Sequence, residues 1–277
     1  MVKRRGASSR WSVPQDETEV VVMTEMFDLT GKVAIVTGST KGLGRAMVEG
    51  LAAAGSSVVV SSRKQDLCEA VAAEVRAATG ADVLPLACHV ADWDAIPGFV
   101  AGVVERLGRI DVLVNNAGIS PAVVTPSDMT LDYWRKVFSV NLEGPLRMSQ
   151  QVAPVMRDGG GGSIINIGTM AAYGPGPGVS AYGASKAALR NLTRSMAMEW
   201  APWKVRVNFL SPGPFMSEML AGAAKGRDGY LEMVADGTLM KRVANPTEII
   251  GPVLYLASDA SSFVTADDIS VSGGMMK

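Results

Sequence analysis

From Gly31 onward the chain alternates short apolar runs with longer amphipathic stretches, and no linker interrupts the alternation. Apolar runs bounded by glycine or polar residues read as buried strands, and longer stretches with helical spacing read as helices. Strands are expected over 32–37, 57–61, 83–88, 110–114, 163–167, 205–210 and 269–271, and helices over 45–54, 66–79, 96–107, 131–156 and 182–201. Pro85 makes the start of the third strand irregular. A strand–helix–strand repeat is a right-handed crossover between parallel neighbours, because only a long connection returns the chain to the same end of a sheet. The expectation is an α/β fold: one doubly wound domain over 26–277, its seven-stranded parallel sheet covered by helices on both faces.

The chain has 277 residues, 48% hydrophobic and 19% charged, with a net charge of -1. That balance supports a sizeable core. Without a basic excess it argues against a nucleic-acid partner. No apolar run reaches the roughly 18 residues of a membrane span, so no membrane partner is expected. With His89 as the single histidine, a His-rich metal site is excluded and a Ser-His-Asp hydrolase is disfavoured, so no metal is expected. His89 follows an apolar run and reads as a strand-end residue rather than a catalyst. Cys68 and Cys88 lack metal-ligand spacing and the density of a disulfide scaffold. Both are expected reduced, in or near the core of a cytoplasmic protein. Lys3, Arg4 and Arg5 open a segment that stays polar over 6–18 and supplies no apolar signal region. Residues 1–25 read as a flexible tail, or as residues upstream of a start at Met23 or Met26.

Between the first strand and the first helix stands Thr37-Gly38-Ser39-Thr40-Lys41-Gly42-Leu43-Gly44, spaced G-x-x-x-G-x-G. Turns collect glycine for backbone reasons alone. At a strand–loop–helix junction, however, glycines let the backbone approach a pyrophosphate that the helix N-terminus favours. The second strand ends in Ser61-Ser62-Arg63-Lys64, with no carboxylate before Asp66. A carboxylate there would accept the ribose hydroxyls of NAD, whereas an arginine suits the extra phosphate of NADP. Arg63 and Lys64, with Lys41 as a second cation on the same side, therefore predict NADP(H) as the preferred cofactor, with NAD(H) possible. The plainer reading makes Arg63 and Lys64 the start of a solvated helix face.

Tyr182 and Lys186 lie four residues apart in a helical stretch, hence on one face. A free tyrosine, with a pKa near 10, is a poor proton donor or acceptor at neutral pH, and a cation beside it lowers that value by stabilising the phenolate.

Together with the loop and the order of elements, these motifs resemble the short-chain dehydrogenase/reductase family over about residues 27–277. The resemblance implies a Rossmann fold. Asn115-Asn116-Ala117-Gly118 is similar to the family's N-N-A-G, which supports the sheet and lines the nicotinamide pocket. Asn141 matches the asparagine that holds a water linking lysine to solvent, and Tyr182 and Lys186 match the catalytic pair. Pro212-Gly213, followed by Ser217, resembles the segment contacting the nicotinamide carboxamide. Thr169 stands where the family usually has serine, keeping a hydroxyl but adding a β-branch that stiffens χ1. His89-Val90 stands where Asp-Val usually flanks the adenine. Ser272 and Ala266 replace a usual aspartate and glycine.

The resemblance implies hydride transfer between nicotinamide and a carbonyl or secondary-alcohol carbon. Tyr182 would move the proton, Lys186 would lower the tyrosine pKa and hold the nicotinamide ribose, Thr169 would orient the oxygen and Asn141 would carry the relay. Met216, Met219, Leu220, Tyr230, Leu231, Met233, Leu239 and Met240 fall in the expected substrate lid, 215–241, and suggest a small, mainly apolar substrate or an adaptable lining. Similarity to NADPH-dependent carbonyl reductases leads. 3-Oxoacyl-carrier-protein reductases are also similar, although Gly160 and Trp203 fall where those enzymes place arginines, and so are glucose and gluconate dehydrogenases. A non-catalytic nucleotide-binding protein is the alternative of another class. The resemblance also implies a homo-oligomer, tetramer or dimer. Leu189, Leu192, Met196, Met275 and Met276 suit either such an interface or a core.

Overall fold

β-Branched residues dominate the short apolar runs, and these runs form the sheet. The strands are β1 (Val33–Thr37), β2 (Ser57–Ser61), β3 (Val83–Pro85), β4 (Val112–Asn115), β5 (Gly162–Ile167), β6 (Val205–Pro212) and β7 (Asp268–Val271). This computed structural model describes residues 25–120, 123–174, 176 and 178–275. The tail expected over 1–25 lies outside them apart from Glu25, which opens a single turn, Glu25–Phe27.

All pairings are parallel, in the order β3-β2-β1-β4-β5-β6-β7. The chain winds outward from β1 to β3 and then returns to lay β4 against the other side of β1. The order reverses there, and the carboxyl ends of β1 and β4 diverge into the crevice where such sheets place ligands.

The helices are α1 (Gly42–Ala53), α2 (Gln65–Thr79), α3 (Ile96–Leu107), α4 (Leu131–Phe138), α5 (Gly144–Asp158), α6 (Ser180–Trp200), α7 (Glu218–Ala224), α8 (Tyr230–Asp236) and α9 (Ile250–Ala257). Successive strand residues point to opposite faces. Ala34, Val36, Val58, Val60, Val112 and Val114 meet α1, α2 and α9 on one face. Val33, Ile35, Val59, Leu113 and Ile164 meet α3, α5 and α6 on the other. Each valine, leucine or isoleucine among them, fully buried, contributes roughly 1.5–3 kcal/mol.

Two elements depart from expectation in ways that matter for the site. The strand expected over 83–88 ends at Pro85, which lacks a ladder donor and sits on the sheet edge where proline is tolerated. The Leu86 and Cys88 amides still donate to the Val60 and Ser62 carbonyls (3.0 and 2.8 Å), so the chain follows β2 as far as Cys88. His89 is therefore an exposed loop residue beyond the strand's end.

The single helix expected over 131–156 is two helices joined by a wider π-helical turn, Ser139–Glu143, where Gly144 N–H reaches back five residues to the Ser139 carbonyl. Pro145 explains the break. It has no N–H, and its ring crowds the carbonyl four residues back, that of Asn141. Gly144 is obligatory at the join, since a Cβ there would lie 2.6 Å from the Val90 carbonyl oxygen.

Candidate active site

At the β1–β4 crevice the backbone turns before any ligand is considered. Gly38 holds φ at +66°, a conformation that disfavours side chains. Gly44 lies against the Gly38 carbonyl and 2.5 Å, as a built Cβ would measure it, from Asn116 Nδ2. Asn116 Nδ2 donates to the Thr37 and Gly38 carbonyls (2.9 and 3.1 Å), and the Thr37 hydroxyl accepts from the Asn116 and Ala117 amides (both 3.0 Å). The ends of β1 and β4 are thus sewn together, and Thr40, Lys41 and Gly42 form the loop's outer arc. Leu43 packs partly onto the core. Asn115 turns the other way, donating to Asn166 Oδ1 (2.8 Å) and Ser149 Oγ (3.0 Å) beneath the crevice.

Two loop residues sit differently from their expected roles. Ser39 is fully buried, its N–H donating to the Ser61 carbonyl (3.0 Å) and its hydroxyl accepting from the Ser61 amide (2.9 Å). Its side chain is committed to fixing the loop on β2. Lys41, expected beside Arg63, instead pairs with Glu218 at the start of α7. Arg63 and Lys64 are exposed just past β2, and among the described residues neither forms an ion pair. Arg63 overlooks a cleft of about 400 Å³ lined also by Leu86, Cys88, His89 and Phe99. In it His89 Nδ1 accepts from the Ala91 amide (3.2 Å). Burial and nearby Asp92 push the Cys88 thiol up to about 11, leaving it an inert neutral thiol; it and Cys68 are buried and free.

The second half of the site is carried by β5, α6 and the π-helical turn. Thr169 follows β5 and caps the short turn Met170–Ala172, its hydroxyl accepting from the Ala171 amide (3.3 Å). Tyr182 and Lys186 are one turn apart on α6, whose first turn brings the half-buried phenol to Thr169. Burial raises the Tyr182 pKa above the usual phenol value, while the hydroxyl of Thr169 bonded to it works the other way. Burial pulls Lys186 down to about 8, and its ammonium donates to the Ile167 carbonyl (2.7 Å).

Asn141, on the π-helical turn, is fully buried. Its side chain accepts from the Ile119 amide (2.8 Å) and donates to the Ile119 carbonyl (2.9 Å) and Ser185 Oγ (3.2 Å). Gly118 brings Asn141 and Lys186 near each other: a Cβ on it would lie 3.4 Å from Asn141 Oδ1 and 3.5 Å from Lys186 Nζ. The residue four positions on from Asn141 is Pro145, so its main-chain carbonyl lacks the usual helical donor. That proline was the signal in the sequence for a broken helix at this point.

Pro212 ends β6, and Gly213 donates to the Val271 carbonyl (2.9 Å), packed so closely on Ser272 that a Cβ would lie 2.6 Å from its Cα. Ser217 caps α7, accepting from the Leu220 amide (3.3 Å). The lid segment leaves the body at Phe215, which is buried, and returns at Ala244, where the two strands of chain form a bridge. Met216, Met219, Met233, Leu239 and Met240 are exposed on it. On α6, Leu189 and Met196 are buried in the protein's own core and Leu192 packs against it, so they form no exposed interface; Met276 lies outside the described residues. Among the described residues no helix is long and apolar enough to cross a membrane.

A glycine-rich nucleotide crevice opposite a hydroxyl–lysine constellation on one long helix defines a dinucleotide-type oxidoreductase site. A family model described as enoyl-(acyl carrier protein) reductase matches residues 38–276. Human dehydrogenase/reductase SDR family member 4 is 36% identical over 255 residues, covering 91% of this chain and 90% of that protein. Among solved structures, a gluconate 5-dehydrogenase from Burkholderia cenocepacia J2315 in complex with NADP and tartrate superposes with a TM-score of 0.87 at 32% identity, covering 91% of this chain and 98% of that one. A 3-oxoacyl (acyl-carrier-protein) reductase from Agrobacterium tumefaciens C58 with NADP bound gives 0.86 at 32% identity, covering 93% and 99%. The chain belongs to the short-chain dehydrogenase/reductase family, and it is an enzyme of the kind that acts on CH–OH or C=O groups.

Proposed function

We propose that this enzyme is a cytoplasmic, NADP(H)-preferring reductase of small, mainly apolar carbonyl compounds, able to run in reverse on the secondary alcohol. The observation that carries the reading is Tyr182 beside Thr169 and one helical turn from the buried Lys186, at a crevice with no acidic residue at the end of β2.

The crevice residues fit a nicotinamide dinucleotide. Around Gly42 no atom comes within 4 Å of a built Cβ, which leaves open space at the N-terminus of α1, and Arg63 and Lys64 are cations without an ion-pair partner among the described residues. The main chain of Gly38, Thr40, Lys41, Gly42, Leu43 and Gly44, on the frame that Ser39 fixes, would hold the pyrophosphate. Arg63 and Lys64 would hold the extra phosphate, and His89 and Val90 would flank the adenine. Asn116, Ala117, Gly118, Lys186, Pro212, Gly213 and Ser217 would line the nicotinamide end. Bound there, the cofactor supplies or accepts the hydride.

The chain's own part is to hold the substrate oxygen and move its proton. Tyr182 donates its phenolic proton to that oxygen in reduction, and takes it back in oxidation. Thr169 donates to the same oxygen as charge develops on it, fixed in direction by the turn it caps. Lys186, still largely cationic at neutral pH with a pKa of about 8, stabilises the phenolate that remains. The Asn141 carbonyl, whose i+4 donor is lost to Pro145, anchors a water through which Lys186 and Tyr182 regain a proton from solvent. The exposed methionines of the lid favour an apolar substrate of adaptable shape. We infer a homo-oligomer, tetramer or dimer, from the family alone.

The test is oxidation of NADPH and of NADH against a panel of diketones, aromatic ketones, an acetoacetyl thioester and ketogluconate, with wild type and Tyr182→Phe. Turnover with NADPH and an apolar ketone is expected, with little from NADH, and Tyr182→Phe should lose about 10²–10⁴-fold while binding NADPH normally. Preference for the thioester or the sugar acid would move the substrate assignment. NADH alone as cofactor would overturn the role of Arg63.

A further inference from the structure

Behind the hydroxyl pair lies a partly buried charged cluster that the proposed chemistry does not use. Tyr173 closes the turn that Thr169 opens, with the Ala172 amide donating to the Thr169 carbonyl and the Tyr173 amide to the Met170 carbonyl (both 3.1 Å). The Tyr173 phenol donates to Asp268 at the start of β7 and lies 2.9 Å from Ser211 Oγ on β6. The other oxygen of Asp268 accepts from Arg190 Nε, and the Arg190 guanidinium lies 4.8 Å over the Tyr173 ring. The Asp268 side chain is 7% exposed.

We propose that Asp268 is a positioning residue for the Thr169–Tyr182 pair, acting through Tyr173 and Arg190; the proposal rests on the carbonyl-reductase reading above. Arg190 is one turn beyond Lys186 and two beyond Tyr182, on the same side of α6. Ser211 immediately precedes Pro212–Gly213. Gly168, immediately before Thr169, is packed so tightly that a Cβ would lie 2.9 Å from Ser211 Oγ. The cluster therefore holds one point on each segment that sets the pair: the Thr169 turn, α6, and the end of β6. A buried ion pair adds little stability over apolar packing of the same volume, but its directional bonds leave few alternative arrangements. Here those bonds fix where a threonine, with its stiff χ1, aims its hydroxyl.

The experiment measures kcat and the KM for NADPH in the whole enzyme with the best ketone of the panel. Tyr173→Phe and Asp268→Asn are each made in the Thr169 background and in Thr169→Ala. Each should lower kcat about tenfold with Thr169 present, since displacing a reacting group by a fraction of an ångström has that scale of effect. Each should cost under about twofold in Thr169→Ala, where no threonine hydroxyl remains to be aimed, and that non-additivity is the signature of coupling. The KM for NADPH should not change. Equal losses in both backgrounds, or an unchanged kcat in Tyr173→Phe, overturn the proposal. If Asp268→Asn does not fold, Tyr173→Phe decides alone, because it keeps the ring under Arg190 and removes only the hydroxyl. A Tyr182→Phe enzyme that keeps its turnover, or a wild type without turnover on the whole panel, overturns the reductase reading and this role with it. An inactive Tyr182→Phe with additive Tyr173→Phe losses overturns only the role of Asp268.

Discussion

Residues 38–44 and 215–244 meet across the crevice at the Lys41–Glu218 ion pair, and they are held in opposite ways. The glycine loop is fixed by backbone and buried polar bonds to β2 and β4, and Gly38 and Gly44 are packed to contact. The lid is held by Phe215, the bridge to Ala244, buried Thr238 and the Met240 amide's bond to the Gly273 carbonyl (3.0 Å), but neither α7 nor α8 contributes a buried residue. The ion pair joining them is exposed on both sides, the kind that contributes at most about 1 kcal/mol. The stiff wall is the one that must place a cofactor and a proton donor accurately; the loose wall can open, close and accept varied shapes.

The strongest test of the stiff wall is Gly44→Ala. Its methyl group would collide with the Gly38 carbonyl, backbone fixed by the loop's own bonds, and crowd Asn116 Nδ2. Destabilisation of about 1–3 kcal/mol is expected. Nucleotide affinity should fall roughly 100-fold as the loop shifts by about an ångström. Thermal melting and an NADPH fluorescence titration measure the two effects. Tight NADPH binding by Gly44→Ala would show that the loop yields as readily as the lid.

The next effect is the pH dependence of kcat/KM for ketone reduction. Reduction needs Tyr182 protonated and Lys186 cationic. Burial holds the tyrosine above its ordinary pKa, so the first proton lost as pH rises is that of Lys186, at about 8. The rate should be level below that value and fall towards about tenfold per pH unit above it. A profile flat through pH 9.5 would mean that Lys186 is not the controlling cation.

How much of this was legible in the sequence follows the same division. The strands and the glycine loop declare themselves because runs such as Val33–Thr37 are buried on both faces and leave a continuous apolar signal. The Tyr182–Lys186 spacing reads directly as one helix face. What the sequence obscured are long-range partners. Ser39 looks like any loop serine until β2 is laid beside it, and Lys41 finds its carboxylate 177 residues away. The Asp268–Tyr173–Arg190 cluster joins residues 78 and 95 positions apart, and no local pattern announces it. The split of the helix expected over 131–156 was legible in Pro145, but helical periodicity on both sides of it masks a single inserted residue.

The smallest expected effect belongs to the lid, and it is the one that tells the two walls apart. Met219 and Met233 are exposed on α7 and α8, where truncation leaves no cavity to fill. If they only cover the surface, Met219→Ala and Met233→Ala should change neither melting nor kinetics. If they serve the substrate, melting should stay within about 0.5 kcal/mol of wild type. KM for a bulky apolar ketone should then rise about 3–10-fold, the scale of losing a methylene or two of apolar contact, with the KM for NADPH unchanged. The second pattern is expected. A small substrate such as a short diketone should feel the change less, because it reaches fewer of the lid's methionines. Equal losses for large and small ketones would mean that the methionines act on lid closure rather than on contact, and that the loose wall contributes timing instead of selectivity.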